Sequence, residues 1–136
     1  MAKNIEDIEG IGPAYAAKLK EKAGINTVES LLKEGASKSG RKSIAEKTGI
    51  DEKLVLRWVN QADLFRIKGV GEEYADLLEA AGVDTVKELK TRVPANLLAK
   101  IQEINDTKKL VRSIPTLSSL EKWVEEAKTL DAVVTY

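Results

Sequence analysis

The 136-residue chain contains no cysteine and no histidine. Without cysteine there is no disulfide framework and no thiolate metal site. Without histidine the commonest general base and the commonest transition-metal ligand are both missing. Only three prolines interrupt the chain. Apolar runs are a few residues long, so no segment reads as a membrane span. The opening "MAKNIEDIEG" lacks the apolar stretch of a signal peptide, and a cytoplasmic location is the expectation. There is no excess of either charge, with 22 basic and 22 acidic side chains. That balance is unlike the strongly basic profile of a dedicated nucleic-acid binder.

What is present favours helix. Ala, Leu, Lys and Glu dominate, and apolar residues make up 43% of the chain, enough for a core. The charge is unevenly spread. Residues 11–50 carry eight basic side chains against four acidic, the one strongly basic region.

The chain also repeats itself. "IEGIGPAYAAKL" (8–19) returns as "IKGVGEEYADLL" (67–78), "AGINTVESL" (23–31) as "AGVDTVKEL" (81–89), and "WVNQADLF" (58–65) as "WVEEAKTL" (123–130). Three blocks in one order mean two copies of one unit. The expected organisation is a first unit over 1–65, a second over 62–130 that shares the linking helix, and a tail over 131–136. The extra residues of the second copy fall between Ala99 and Trp123.

Capping signals place the helices. A short helix is expected over 3–8, then a turn at "EGIG", then a helix opening at Pro13 and closing at Gly24. Thr27 caps a helix ending near Gly35. A polar loop, "GASKSGRKS", leads to a helix over 41–48 closed by Gly49. Asp51 caps a long helix reaching toward Arg66. In the second copy Thr85 and Glu88 read as a capping box. Pro94 opens a helix, Asn105 or Asp106 caps another, and Ser118 with Glu121 starts the last. "DAVVTY" has no helical pattern.

The spacing Ile5, Ile8, Gly10, Ile11, Gly12, Ala16, Leu19, repeated as Leu64, Ile67, Gly69, Val70, Gly71, Ala75, Leu78, resembles the helix-hairpin-helix motif. Glycines permit positive φ or close backbone approach, the residue between them plugs the helix pair, and alanine allows close helix contact. "SIAEKTGIDEKLVLRWVNQA" (43–62) reads as a second, degenerate hairpin. It also satisfies helix-turn-helix spacing, with Glu52, Lys53, Leu56, Arg57 and Asn60 on the presented face. Residues 5–65 resemble the paired helix-hairpin-helix domain of archaeal and eukaryotic RecA-type recombinases. They also resemble the C-terminal domain of the bacterial RNA polymerase α subunit. The doubled arrangement is most similar to an uncharacterised bacterial family with two such units. In the second copy, "LLAKIQEIND" (97–106) has Glu103 where the turn glycine belongs.

The resemblance implies an all-α fold of two paired helix-hairpin-helix units fused in tandem through a shared helix. It also implies non-specific contact with a nucleic-acid backbone, DNA more than RNA. Carried onto this chain, the donors are the backbones of Gly10, Ile11, Gly12 and Ala14, with Lys18 about one and a half turns on. A phosphate oxygen is favoured at such a helix start by free amides and the helix dipole. Lys38, Arg41 and Lys42 read as a neighbouring basic loop. They do not form a nucleotide-binding P-loop, because the G-x-x-x-x-G-K-[ST] spacing is absent.

Each feature has a plainer reading. A glycine hairpin can join two helices without any ligand, a basic loop can simply be solvated, and Glu72-Glu73 in the second copy repel phosphate. Trp58 and Trp123 read as core, and Tyr15 and Tyr74 as packing between helices. The carboxylates are scattered, so no catalytic constellation, metal site, cofactor or small-molecule substrate is expected. The sequence therefore points to a non-enzymatic binding module. The alternative is a protein-interaction or scaffold module that kept the fold and lost the phosphate contacts.

Overall fold

A computed structural model describes residues 4–8 and 10–136. Among them all regular structure is helical. The chain forms two compact units, one comprising the described residues up to Asp63 with Val133–Tyr136, the other Leu64–Ala132.

In unit 1 a single 3-10 turn, Ile5–Asp7, is capped by Asn4, whose Oδ1 accepts from Glu6 N at 2.9 Å. Of the helix expected over 3–8, residue 3 lies outside the described residues, and Asn4 and Ile8 are extended caps outside the turn. α1 (Pro13–Ala23) opens on proline and closes at Gly24, whose φ of 68° is left-handed. α2 (Val28–Gly35) is capped by Thr27 in a reciprocal box with Ser30, at 3.1 and 3.2 Å. α3 (Lys38–Thr48) closes at Gly49, φ 74°. α4 (Glu52–Leu64) follows Asp51, whose carboxylate accepts from Lys53 N at 2.8 Å. α3 packs against both α1 and α2. The core gathers Ile8, Leu19, Leu31, Val55 and Trp58, all at most 1% exposed.

Two expectations for unit 1 fail locally. The "polar loop" is mostly helix. Ser37 accepts from Gly40 N at 3.1 Å and starts α3 three residues before residue 41. Gly40 belongs there because a Cβ would collide with the Glu34 carbonyl oxygen. The other failure is at the far end, where α4 stops at Leu64, short of Arg66.

In unit 2, α5 (Glu72–Ala80) repeats α1, and a four-residue α6 (Val86–Leu89) stands where α2 stood. Thr85 caps α6 by accepting from Glu88 N at 3.3 Å. The expected box is only half made, because the Glu88 carboxylate pairs with Arg92 at 2.6 Å.

α7 (Pro94–Lys108) is uninterrupted where a hairpin was expected over 97–106. That stretch has no glycine or proline and is rich in Leu, Ile, Gln and Glu, all compatible with a continuous helix. Asn105 caps nothing downstream as a helix start. Its side chain instead clamps Val111, accepting from N at 3.0 Å and donating to O at 3.1 Å. α7 ends at Lys109, φ 50°, the one non-glycine residue with positive φ among the described residues. α8 (Leu117–Thr129) is capped by Thr116, which accepts from Ser119 N at 3.1 Å, and not by Ser118. α7 packs against α5 and α8, and α6 against α8.

The tail over 131–136 has no regular secondary structure. Within unit 1, Thr135 N donates to Ala36 O at 2.8 Å, Val134 is buried, and the Tyr136 hydroxyl donates to Asn60 Oδ1 at 3.2 Å.

Candidate nucleic-acid interface

The first turn is built on two glycines with different tasks. Gly10 takes φ 93°, a value that L side chains rarely adopt, and a Cβ on it would lie 3.4 Å from the Trp58 indole nitrogen. Ile11 turns inward, 4% exposed, and its N–H donates to Ile8 O at 3.1 Å. Of the four backbone donors carried over from the motif, Ile11 is therefore already used inside the turn. Gly12 is different. Its φ of −86° suits any residue, and a Cβ there would meet nothing within 4 Å. Its missing side chain leaves open space above the start of α1.

The start of α1 is where an anion would find donors. Pro13 has no N–H, and the first intrahelical bond runs from Ala16 N to Gly12 O at 2.9 Å. Among the described residues, no acceptor takes the N–H of Gly12 or Ala14. Gly12, Pro13, Ala14 and Tyr15 are exposed, and no acid stands in this first turn. The uncompensated dipole gives the site partial positive charge. Lys18 follows one turn after Tyr15, its Nζ 5.9 Å from the Tyr15 ring centre. That ring meets Trp58 edge-on at 5.1 Å. The tyrosine thus packs on the core tryptophan and supports the lysine.

The three basic residues expected to form one loop separate. Lys38 and Lys42 are exposed. Arg41 is 3% exposed. Its Nη1 donates to Gly35 O and Ala36 O at 2.9 and 3.0 Å, and its Nη2 to Thr135 O at 2.6 Å. It satisfies carbonyls that the end of α2 leaves without intrahelical partners and holds the tail. Arg41 is thus a structural clasp, its guanidinium bonded to three backbone carbonyls. Its partner Thr135 is 94 residues away, and no local spacing marks such a pair. Lys38 lines a hollow with Arg41, Glu52, Lys53, Leu56 and Tyr136. Helix-turn-helix spacing placed Glu52, Lys53, Leu56, Arg57 and Asn60 on a presented helix face. Asn60 is in fact buried and bonded to Tyr136.

The second turn has the same frame. Gly69 takes φ 95°, with the Trp123 indole nitrogen 3.2 Å from where a Cβ would stand. Val70 N donates to Ile67 O at 3.1 Å, and Ala75 N to Gly71 O at 2.8 Å. Tyr74 meets Trp123 at 5.4 Å and donates to Ser113 O at 3.1 Å. The difference lies in the first turn of α5, which carries Glu72 and Glu73. These carboxylates complement the dipole themselves and oppose a second anion.

The family described as a domain of unknown function, DUF4332, matches residues 9–130. The chain belongs to the DUF4332 family. No curated protein and no solved structure matches it significantly. In this family member, no cluster of three His, Cys, Asp or Glu able to hold a metal forms among the described residues. Nor, among those residues, is any helix long and apolar enough to cross a membrane.

Proposed function

We infer that this DUF4332 chain is two fused helix-hairpin-helix units. The first is a non-enzymatic module that holds a nucleic-acid backbone, chiefly DNA, without reading its sequence. The observation that carries this reading is the open start of α1. Gly12 needs no glycine for its own conformation, yet its bare backbone lets a phosphate approach the N–H groups of Gly12 and Ala14. Lys18 reaches the next phosphate, and the exposed Lys38 and Lys42 add positive field to unit 1. The second unit keeps the joint for the fold and excludes the phosphate with Glu72 and Glu73. Arg41 supports the reading only indirectly, by fixing where α3 starts.

Fluorescence anisotropy of labelled duplex and single-stranded DNA, at low and moderate salt, tests this. Backbone binding weakens steeply as salt rises, and each phosphate contact removed flattens the slope by about one. Lys18→Ala is expected to do so, and Lys38→Ala with Lys42→Ala to a lesser degree. Absence of binding at low salt sinks the reading and leaves the protein-interaction role, to which Glu72-Glu73 and the neutral net charge are congenial.

A further inference from the structure

The hollow beside α3 shares only Lys38 with the contacts of the nucleic-acid reading. It measures about 510 Å³, within the range of small-ligand sites, and all six lining residues belong to unit 1. Its charged lining side chains are three cations, Lys38, Arg41 and Lys53, and one carboxylate, Glu52. Among the described residues neither Lys38 nor Lys53 forms an ion pair. Arg41 is buried, and its hydrogen bonds go to three neutral carbonyl oxygens. Its charge is therefore held rigidly and is not neutralised, an arrangement that favours an anion close by. Lys38 opens α3, and Glu52 and Lys53 open α4, so the positive ends of two helices of 11 and 13 residues adjoin the hollow. Leu56 gives it an apolar surface. Tyr136 gives an aromatic one, its ring 5.8 Å from the Arg41 guanidinium and its hydroxyl fixed on Asn60.

We propose that this hollow is a binding site for a small phosphate-bearing anion. Lys38 and Lys53 are its flexible contacts, Arg41 its fixed charge, and the Tyr136 ring the wall for any organic group. Two sources supply such phosphates: a nucleotide, or an inorganic polyphosphate that leaves the aromatic wall unused. The site does not depend on the open start of α1 and stands whether or not DNA is held there.

Calorimetric titration of the full chain with ATP and with pyrophosphate, at low salt and without divalent metal, tests it. One site per chain is expected, weakening as salt rises. Lys38→Ala with Lys53→Ala should weaken both ligands about tenfold, by loss of two charge-assisted contacts. Lys47→Ala, an exposed lysine on the last turn of α3, should leave them unchanged. Tighter binding of ATP than pyrophosphate, with the margin lost in Tyr136→Ala, assigns the site to a nucleotide. Equal binding assigns it to inorganic polyphosphate. The lysines carry the test because Arg41→Ala takes a donor from three carbonyls and endangers the fold. The proposal is overturned if neither ligand binds at millimolar concentration, or if the double variant binds as well as the parent. A loss in Lys18→Ala as large as in the double variant also overturns it, by moving the anion to α1.

Discussion

The described residues of the turns at 8–16 and 67–75 agree at the first glycine, the turn hydrogen bond and the tryptophan beneath. Ile11 and Val70 each donate to the isoleucine three residues back at 3.1 Å, and Gly10 and Gly69 take φ 93° and 95°. Beneath each glycine lies an indole nitrogen, at 3.4 and 3.2 Å from the position of a Cβ. Beyond the second glycine they part: Pro13-Ala14 in one, Glu72-Glu73 in the other. The shape of this joint is thus set by the first glycine and the tryptophan. Nothing in the turn itself constrains the residues after the second glycine. The helix start is therefore free to differ in charge while the fold is kept.

Breaking the shared frame should give the largest effect. Gly10→Ala and Gly69→Ala each force an alanine into a positive-φ conformation and press a methyl toward an indole. Each is expected to cost about 2 kcal/mol. The cost should be somewhat larger at 69, where the contact is tighter. Urea unfolding followed by circular dichroism reads both, and the single tryptophan of each unit reports on its own turn by fluorescence. Equal stability of Gly10→Ala and the parent would mean that the turn does not need positive φ.

How much of this was written in the sequence depends on whether the signal is local. Pro13, Gly24, Thr27, Gly49 and Pro94 each act within a turn of their own position, and each marks a helix end where expected. Where several hydroxyls compete, as in Thr116, Ser118 and Ser119, only the backbone approach decides the cap, and Thr116 wins. The start of α3 was hidden because Gly40 reads as a loop residue, while its absent side chain serves the approach to Glu34. Arg41 was hidden for another reason. Its charge placed it with Lys38 and Lys42, but its partners include a carbonyl at the other end of the chain. The candidate site was legible as a motif and illegible as a surface.

A second contrast concerns how α3 and α7 end. Both close on an N–H to O bond four residues back at 2.8 Å, but at Gly49 in one and Lys109 in the other. Gly49, φ 74°, has nothing within 4 Å of a Cβ, so Gly49→Ala suffers from φ alone. Lys109→Gly should relieve the same strain and stabilise by about 0.5–1 kcal/mol, reduced by the freedom glycine gains when unfolded. Gly49→Ala should destabilise by a similar amount. Thermal unfolding of the two variants checks the opposite signs, and a destabilised Lys109→Gly would show that the lysine side chain does something φ does not reveal.

The smallest change in stability should be the most informative about function. Gly12 and Gly71 both have φ values open to any residue, and a Cβ at either meets nothing within 4 Å. Alanine at a helix N-cap costs about 0.5 kcal/mol relative to glycine, so Gly12→Ala and Gly71→Ala should unfold almost like the parent. Their effects on DNA should diverge. A methyl on Gly12 stands between an approaching phosphate and the amides of α1, and anisotropy should report severalfold weaker binding. A methyl on Gly71 stands before Glu72 and Glu73, which oppose an anion, and binding should not change. If DNA binds and both variants bind it alike, the phosphate does not sit on the first hairpin, and the charge difference between the two turns has another purpose.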